Sequence, residues 1–110
     1  MIKNLAQLKR AIKVNSRFEI LAHRRQDFVG QIRVVTMVNT VGCYSVVEGQ
    51  PEHEVSLANG GKGYELEWRK AASWKFHNGV CTQYRRLMPN ADMQPVISIR
   101  LLEPCAEIGG

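Results

Sequence analysis

Asn59-Gly60-Gly61-Lys62-Gly63-Tyr64-Glu65-Leu66-Glu67-Trp68-Arg69-Lys70-Ala71-Ala72-Ser73-Trp74-Lys75-Phe76 carries the chain's two tryptophans and four of its basic residues. A glycine-lysine turn leads into Tyr64, Leu66 and Trp68 at period two, and Trp74 and Phe76 repeat that spacing. Period two is the mark of a strand with one buried face. Two strands are therefore expected, over residues 64–70 and 73–77, joined at Ala71-Ala72. Tyr64, Leu66 and Trp68 form the inward face, with Trp74 and Phe76 core as well, and the interleaved basic residues point outward. The next turn is His77-Asn78-Gly79, where Asn-Gly favours a type I′ hairpin. Residues 80–86 then return as a strand with Val80, Thr82 and Tyr84 on one face.

The remaining segments extend the β pattern. Leu5, Leu8 and Ile12 fall on one face of an amphipathic helix over residues 4–13, with Asn4 as N-cap and Gln7 completing a capping-box-like pair. Asn15 suits a left-handed cap after it. Residues 17–22 alternate with Phe18 and Ile20 on one side, and residues 23–27 are polar. Residues 28–38 read as one long strand bent at Gly30. Asn39-Thr40-Val41-Gly42 connects it to a strand over 43–47. Residues 48–62 read as a long irregular loop, and loops of that length in small domains carry function or move. Met88 to Pro95 is a loop, and residues 96–102 are a last strand. The expected fold is α+β but mostly β: a small SH3-like, partly open β-barrel, or a roll, of six to seven short strands with one N-terminal helix. Residues 1–103 form a single domain and 104–110 a flexible tail.

Bulk properties narrow the function classes. The chain has 110 residues and a formal charge of +5, and its charge is uneven. Residues 1–33 carry eight Lys/Arg against Glu19 and Asp27, residues 34–61 carry none against three Glu, and residues 62–86 carry six against Glu65 and Glu67. Two basic segments that fold onto one face attract phosphate backbones or acidic protein surfaces. Met1-Ile2-Lys3-Asn4-Leu5 lacks the apolar core of a signal peptide, and apolar runs are too short for a membrane span. Cys43, Cys81 and Cys105 are odd in number and far apart, so reduced thiols and a cytoplasmic location are expected, with no membrane partner.

No motif specifies catalysis. The Gly60-Gly61-Lys62-Gly63 turn lacks the spacing and the following helix of a phosphate-binding loop. His23, His53 and His77 have no ligand spacing with the cysteines, so neither a metal nor another cofactor is expected. Glu65 and Glu67 are read as cross-strand partners of Arg85 or Lys75. The remaining signal is the mixture of Tyr64, Trp68, Trp74, Phe76 and Tyr84 with basic residues. The candidate binding residues are Arg24, Arg25, Lys62, Arg69, Lys70, Lys75, Arg85 and Arg86. Single-stranded nucleic acids bind such surfaces by stacking and backbone charge.

Gly30-Gln31-Ile32-Arg33-Val34-Val35-Thr36, Gly42-Cys43-Tyr44-Ser45-Val46-Val47, Gly60-Gly61-Lys62-Gly63 and Ala71-Ala72-Ser73-Trp74-Lys75-Phe76 resemble segments of the small uncharacterised proteins carried by phages and mobile elements of bacteria. The resemblance spans residues 1 to about 85. It implies an accessory protein that binds nucleic acid or disables a host defence system, as anti-CRISPR proteins do, and it transfers no functional residue. The expectation is thus a non-enzymatic module that binds nucleic acid or a nucleoprotein through a basic face. The alternative is a counter-defence inhibitor docked on a host defence nuclease. A small-molecule binder or enzyme ranks behind both. Monomer and homodimer stay equally open.

Overall fold

The computed structural model describes residues 1–54, 66–70 and 72–102. One helix, α1 (Leu5–Ala11), precedes eight strands: β1 (Arg17–His23), β2 (Ile32–Val38), β3 (Gly42–Val47), β4 (Gln50–Glu54), β5 (Leu66–Glu67), β6 (Ala72–His77), β7 (Val80–Arg86) and β8 (Met93–Leu101). Seven of them hydrogen-bond in the order β4-β3-β2-β1-β8-β7-β6, and β5 pairs with β3. Every pairing is antiparallel. The sheet is mostly built of neighbours in sequence. Its longest-range join, β1 to β8, sets Phe18 opposite Leu101 and Ile20 opposite Ile99. No helix among the described residues is long and apolar enough to cross a membrane.

Helix α1 begins where the capping residues place it. The Asn4 side chain accepts from the Gln7 amide at 2.9 Å. The Gln7 side chain accepts from the Lys3 amide at 2.7 Å, one residue earlier than in the usual reciprocal box. Asn4→Ala should therefore cost about 1 kcal/mol of stability, read from the midpoint of a denaturant titration. The helix stops at Ala11, two residues sooner than expected, because Ile12 is already extended; its side chain still reaches the core. Asn15 takes the left-handed conformation with φ 77°.

The sheet curls over the helix. Leu8 and Ile12 meet Phe18, Ile20, Val35, Cys43, Leu66, Cys81, Ile97 and Ile99 in one core, with Ile2 and Leu5 packed at its margin. Register shifts interrupt four ladders, between Ile20 and Ala22, Val35 and Met37, Val46 and Val47, and Gln83 and Tyr84. Such bulges bend and twist a sheet. The two ends of the sheet then approach each other at β5 and β6, but side chains rather than a strand ladder bridge them. Trp74 Nε1 donates to the Glu67 carbonyl at 2.9 Å. Trp68 Nε1 donates to the Asn39 carbonyl at 3.2 Å, and the two indoles lie 6.0 Å apart. Trp68 is buried, and Trp74 and Phe76 pack against the core, as their spacing implied. The sheet is not closed into a barrel.

Four boundaries differ from the sequence reading. Residues 28–38 are not one strand: Gln26–Phe28 forms a single 3₁₀ turn and Gly30, at φ 90°, redirects the chain before β2. Burying Phe28 outweighs extending the strand, and the Gly30 amide donates to the Ile20 carbonyl at 2.8 Å. The start of the supposed loop 48–62 is strand β4, reached by a hairpin at Gly49, φ 86°. Pro51 is compatible with it because β4 lies at the edge of the sheet. Residues 69 and 70 leave β5 in a turn, with the Ala72 amide donating to the Arg69 carbonyl. Strand β8 starts at Met93 rather than residue 96. Pro95 is tolerated there because β1 has already ended opposite Ile97, so one side of β8 has no strand to bond. The strand over Val80–Arg86 and the turn at Asn78, φ 51°, and Gly79, φ 79°, agree with the sequence reading. The proposed tail 104–110 and residues 55–62 of the proposed loop lie outside the described residues.

Candidate nucleic-acid interface

Strand alternation sorts the basic residues onto two sides of the sheet. In β7, Cys81 and Gln83 are buried, while Val80, Thr82 and Tyr84 are partly exposed on the opposite face. Arg85 shares the inner face with Gln83, and Arg86 shares the outer face with Tyr84. In β6, Ala72, Trp74 and Phe76 point inward, while Ser73, Lys75 and His77 are exposed. Arg85 and Arg86, both candidate binding residues from sequence, therefore lie on opposite faces of β7.

Arg69 and Arg85 converge on a single carboxylate. Arg69 Nη2 lies 3.2 Å and Arg85 Nη2 3.5 Å from Glu67 Oε2. The Glu67 side chain has 0 % of its surface exposed, against 57 % for Arg69 and 36 % for Arg85. A carboxylate so far from water requires cationic partners, and these two arginines supply them. The Glu67 amide donates to Gln83 Oε1 at 2.7 Å, so the node is also bonded through its backbone. Glu67 does pair with Arg85, but not as a cross-strand neighbour, since β5 is hydrogen-bonded to β3 and β7 to β6 and β8. The outward placement of Glu67, and of both arginines as a solvated working surface, does not hold. Lys62, Tyr64 and Glu65 lie outside the described residues.

The outer face of β1, β8, β7 and β6 has a different character. Ala22, Ser98, Thr82 and Lys75 form one row across the four strands, and Tyr84 lies opposite Ser73 and Pro95 in the next. Thr82 and Ser98 share a hydrogen bond of 2.8 Å between their hydroxyls. Lys75 Nζ sits 4.9 Å from the centre of the Tyr84 ring, a contact worth about 0.5–1 kcal/mol at an exposed site. Arg86 Nη1 donates to the Ala91 carbonyl at 2.7 Å. Arg24 adjoins the row of Tyr84, with its amide donating to the Val96 carbonyl. No acidic side chain among the described residues lies within ion-pair distance of Arg24, Lys75 or Arg86.

No family model, curated protein or solved structure matches the chain.

Three other arginines on the surface are paired with carboxylates. Arg17 Nε lies 2.6 Å from Glu48, and its hydrogen bond holds the Glu48 carboxyl below the usual glutamate range. Arg100 lies 3.2 Å from Glu19. Arg25, one of the candidate residues, lies 3.4 Å from Asp27 and stacks on Phe28 with 4.7 Å to the ring centre. Lys70 is exposed in the turn between β5 and β6. The eight residues named from sequence thus divide. Lys75, Arg86 and Arg24 adjoin one outer face; Arg69 and Arg85 hold a buried carboxylate; Arg25 pairs locally; Lys70 lies in a turn; Lys62 is not described.

Cys43 and Cys81 are free thiols, both buried. Burial pushes the Cys81 thiol up to about 11, so at neutral pH it stays protonated and is a poor nucleophile. No group of three or more His, Cys, Asp and Glu positioned to hold a metal ion occurs among the described residues. Two features were invisible in the sequence: the Thr82–Ser98 hydroxyl pair, and Arg100 on the same face. Both depend on β8 lying between β1 and β7, which no local pattern signals.

Proposed function

We propose that the chain is a non-enzymatic binding module that takes nucleic acid, free or within a nucleoprotein, on the outer face of β8, β7 and β6 through Lys75, Arg86 and Arg24. One observation carries this reading: these three cations lie on or beside one outer sheet face without a carboxylate partner among the described residues, whereas Arg100 on the same face is matched to Glu19. Uncompensated cations on one sheet face attract a phosphate backbone. The SH3-like roll belongs to the same proposal, since a small curled sheet offers its partner a convex outer face. The resemblance to phage and mobile-element proteins supports a setting in which foreign or host nucleic acid is the partner, and the cytoplasm as its location.

Titration of labelled DNA and RNA oligonucleotides with the pure protein at several salt concentrations tests this. Binding weakens steeply as salt rises. For a single strand, the double variant Lys75→Ala/Arg86→Ala lowers the slope of log affinity against log salt by about 1.4, close to 0.7 for each lost phosphate contact. Absence of binding to every oligonucleotide at low salt would dismiss the proposal and leave the counter-defence reading, a stoichiometric complex with a host nuclease, as its successor.

A further inference from the structure

We infer that the face carrying Tyr84 takes single-stranded rather than duplex nucleic acid, with the Tyr84 ring as the platform for one base and Lys75 as the contact for an adjoining phosphate. This rests on the binding reading above and names its ligand class.

Tyr84 is placed as a stacking residue is placed. It sits on an interior strand, since β7 lies between β8 and β6, so the sheet holds its backbone from both sides. Most of the outward residues around it are short: Ser73 is its cross-strand partner on β6, Thr82 precedes it on the same face, and Ser98 bonds Thr82 from β8. The other large aromatic residues of this half of the sheet, Trp74 and Phe76, pack against the core and are not offered to a ligand. A single strand presents the faces of its bases; a duplex hides them in its stack. An aromatic ring on an open sheet face thus adds binding energy only for the unpaired strand.

Lys75 explains how one small site serves both parts of a nucleotide. Its ammonium rests 4.9 Å from the ring centre. A stacked base contributes more than an exposed ammonium–ring contact, so an arriving base displaces the ammonium. The four-carbon stem keeps the freed charge beside the ring, within reach of the phosphate that accompanies the base. Arg86 follows two residues on along the same strand face, so the strand meets further positive charge on leaving the ring. Among the described residues, Glu19 on this face is held by Arg100, and Glu48 is held by Arg17.

Fluorescence anisotropy with labelled oligothymidylate, oligouridylate and a hairpin duplex of matched phosphate number, at low salt, tests the inference. The tighter of the two single strands should exceed the duplex by about tenfold, as one stacked base implies. Tyr84→Leu keeps apolar bulk but removes the ring. It should lose about tenfold on the single strand while leaving duplex affinity and the salt slope unchanged. Lys75→Ala should weaken the single strand and the duplex alike and flatten the salt slope, by about 0.7 on the single strand. If Tyr84→Leu does not fold by circular dichroism, Tyr84→Trp decides, because a larger ring on the same face should tighten single-strand binding. Equal or tighter binding of the duplex, or unchanged single-strand affinity in the folded Tyr84 variant, overturns the inference and leaves the binding reading standing. Failure of all three ligands to bind removes the binding reading itself, and the inference with it.

Discussion

Replacing Arg69 and Arg85 together with alanine should cost about 3–5 kcal/mol, the penalty for leaving a buried carboxylate without its cations. The expectation follows from the 0 % exposure of the Glu67 side chain and its two arginine partners at 3.2 and 3.5 Å. Single variants should cost less, because one guanidinium remains. With a total stability of roughly 5–15 kcal/mol typical of a domain, the double variant stands close to unfolding at ordinary temperature. Adding Glu67→Leu should restore much of the loss, since a neutral site of similar volume has no charge to compensate. Denaturant midpoints of the four variants check this. A double variant within about 1 kcal/mol of the parent would mean that water reaches Glu67 and the node is only a surface pair. The result also governs how binding is mapped. An Arg85→Ala/Arg86→Ala variant mixes a structural residue with a surface one, so any loss of binding in it would be uninterpretable. Lys75 and Arg86 are the informative pair.

Gly42→Ala should be at least as damaging, at about 3 kcal/mol or more, because the new methyl group has nowhere to go. A Cβ on Gly42 would lie 2.9 Å from Glu67 Cα and still closer to the Leu66 carbonyl oxygen. Those atoms are backbone, so no rotamer change relieves the contact. The ladder that pairs Gly42 with Glu67 and Cys43 with Leu66 must open. Leu66 and Trp68 then lose their seats in the core, and Glu67 its place between the arginines. Gly30→Ala is the control. Its Cβ would meet nothing within 4 Å, and its φ of 90° alone should cost about 1 kcal/mol. Thermal melts of both variants discriminate the two causes. Equal destabilisation would show that β5 can retreat from β3 without harm.

Both expectations concern β5, the two-residue strand at the centre of the opening stretch of sequence. Period-two spacing identified Leu66 and Trp68 as inward residues correctly, because the alternation of side chains is a property of the extended backbone itself. Local chemistry was equally legible in Asn4 with Gln7, in Asn15, and in Asn78-Gly79. Each needs only its immediate neighbours to choose a cap or a positive φ. The strand Val80–Arg86 was readable for the same reason.

Alternation also implied that Arg85 and Arg86 face opposite ways, but not which of them works at the surface. That was decided by a carboxylate in another strand: Glu67 reaches Arg85 only because β5 and β7 meet at the curled seam of the sheet. Alternation alone likewise made Glu67 an outward residue, whereas closure of the seam buries it. The reading of residues 28–38 as one strand failed because the burial of Phe28 and the bend at Gly30 are rewarded by contacts with β1, not by local propensity. The requirement for glycine at 42 arises from the approach of a strand more than twenty residues away. Charge, periodicity and turn chemistry therefore define a small, basic, mostly β domain from its local sequence. Which cations remain free for a ligand is a long-range matter, settled where the tertiary fold brings the carboxylates.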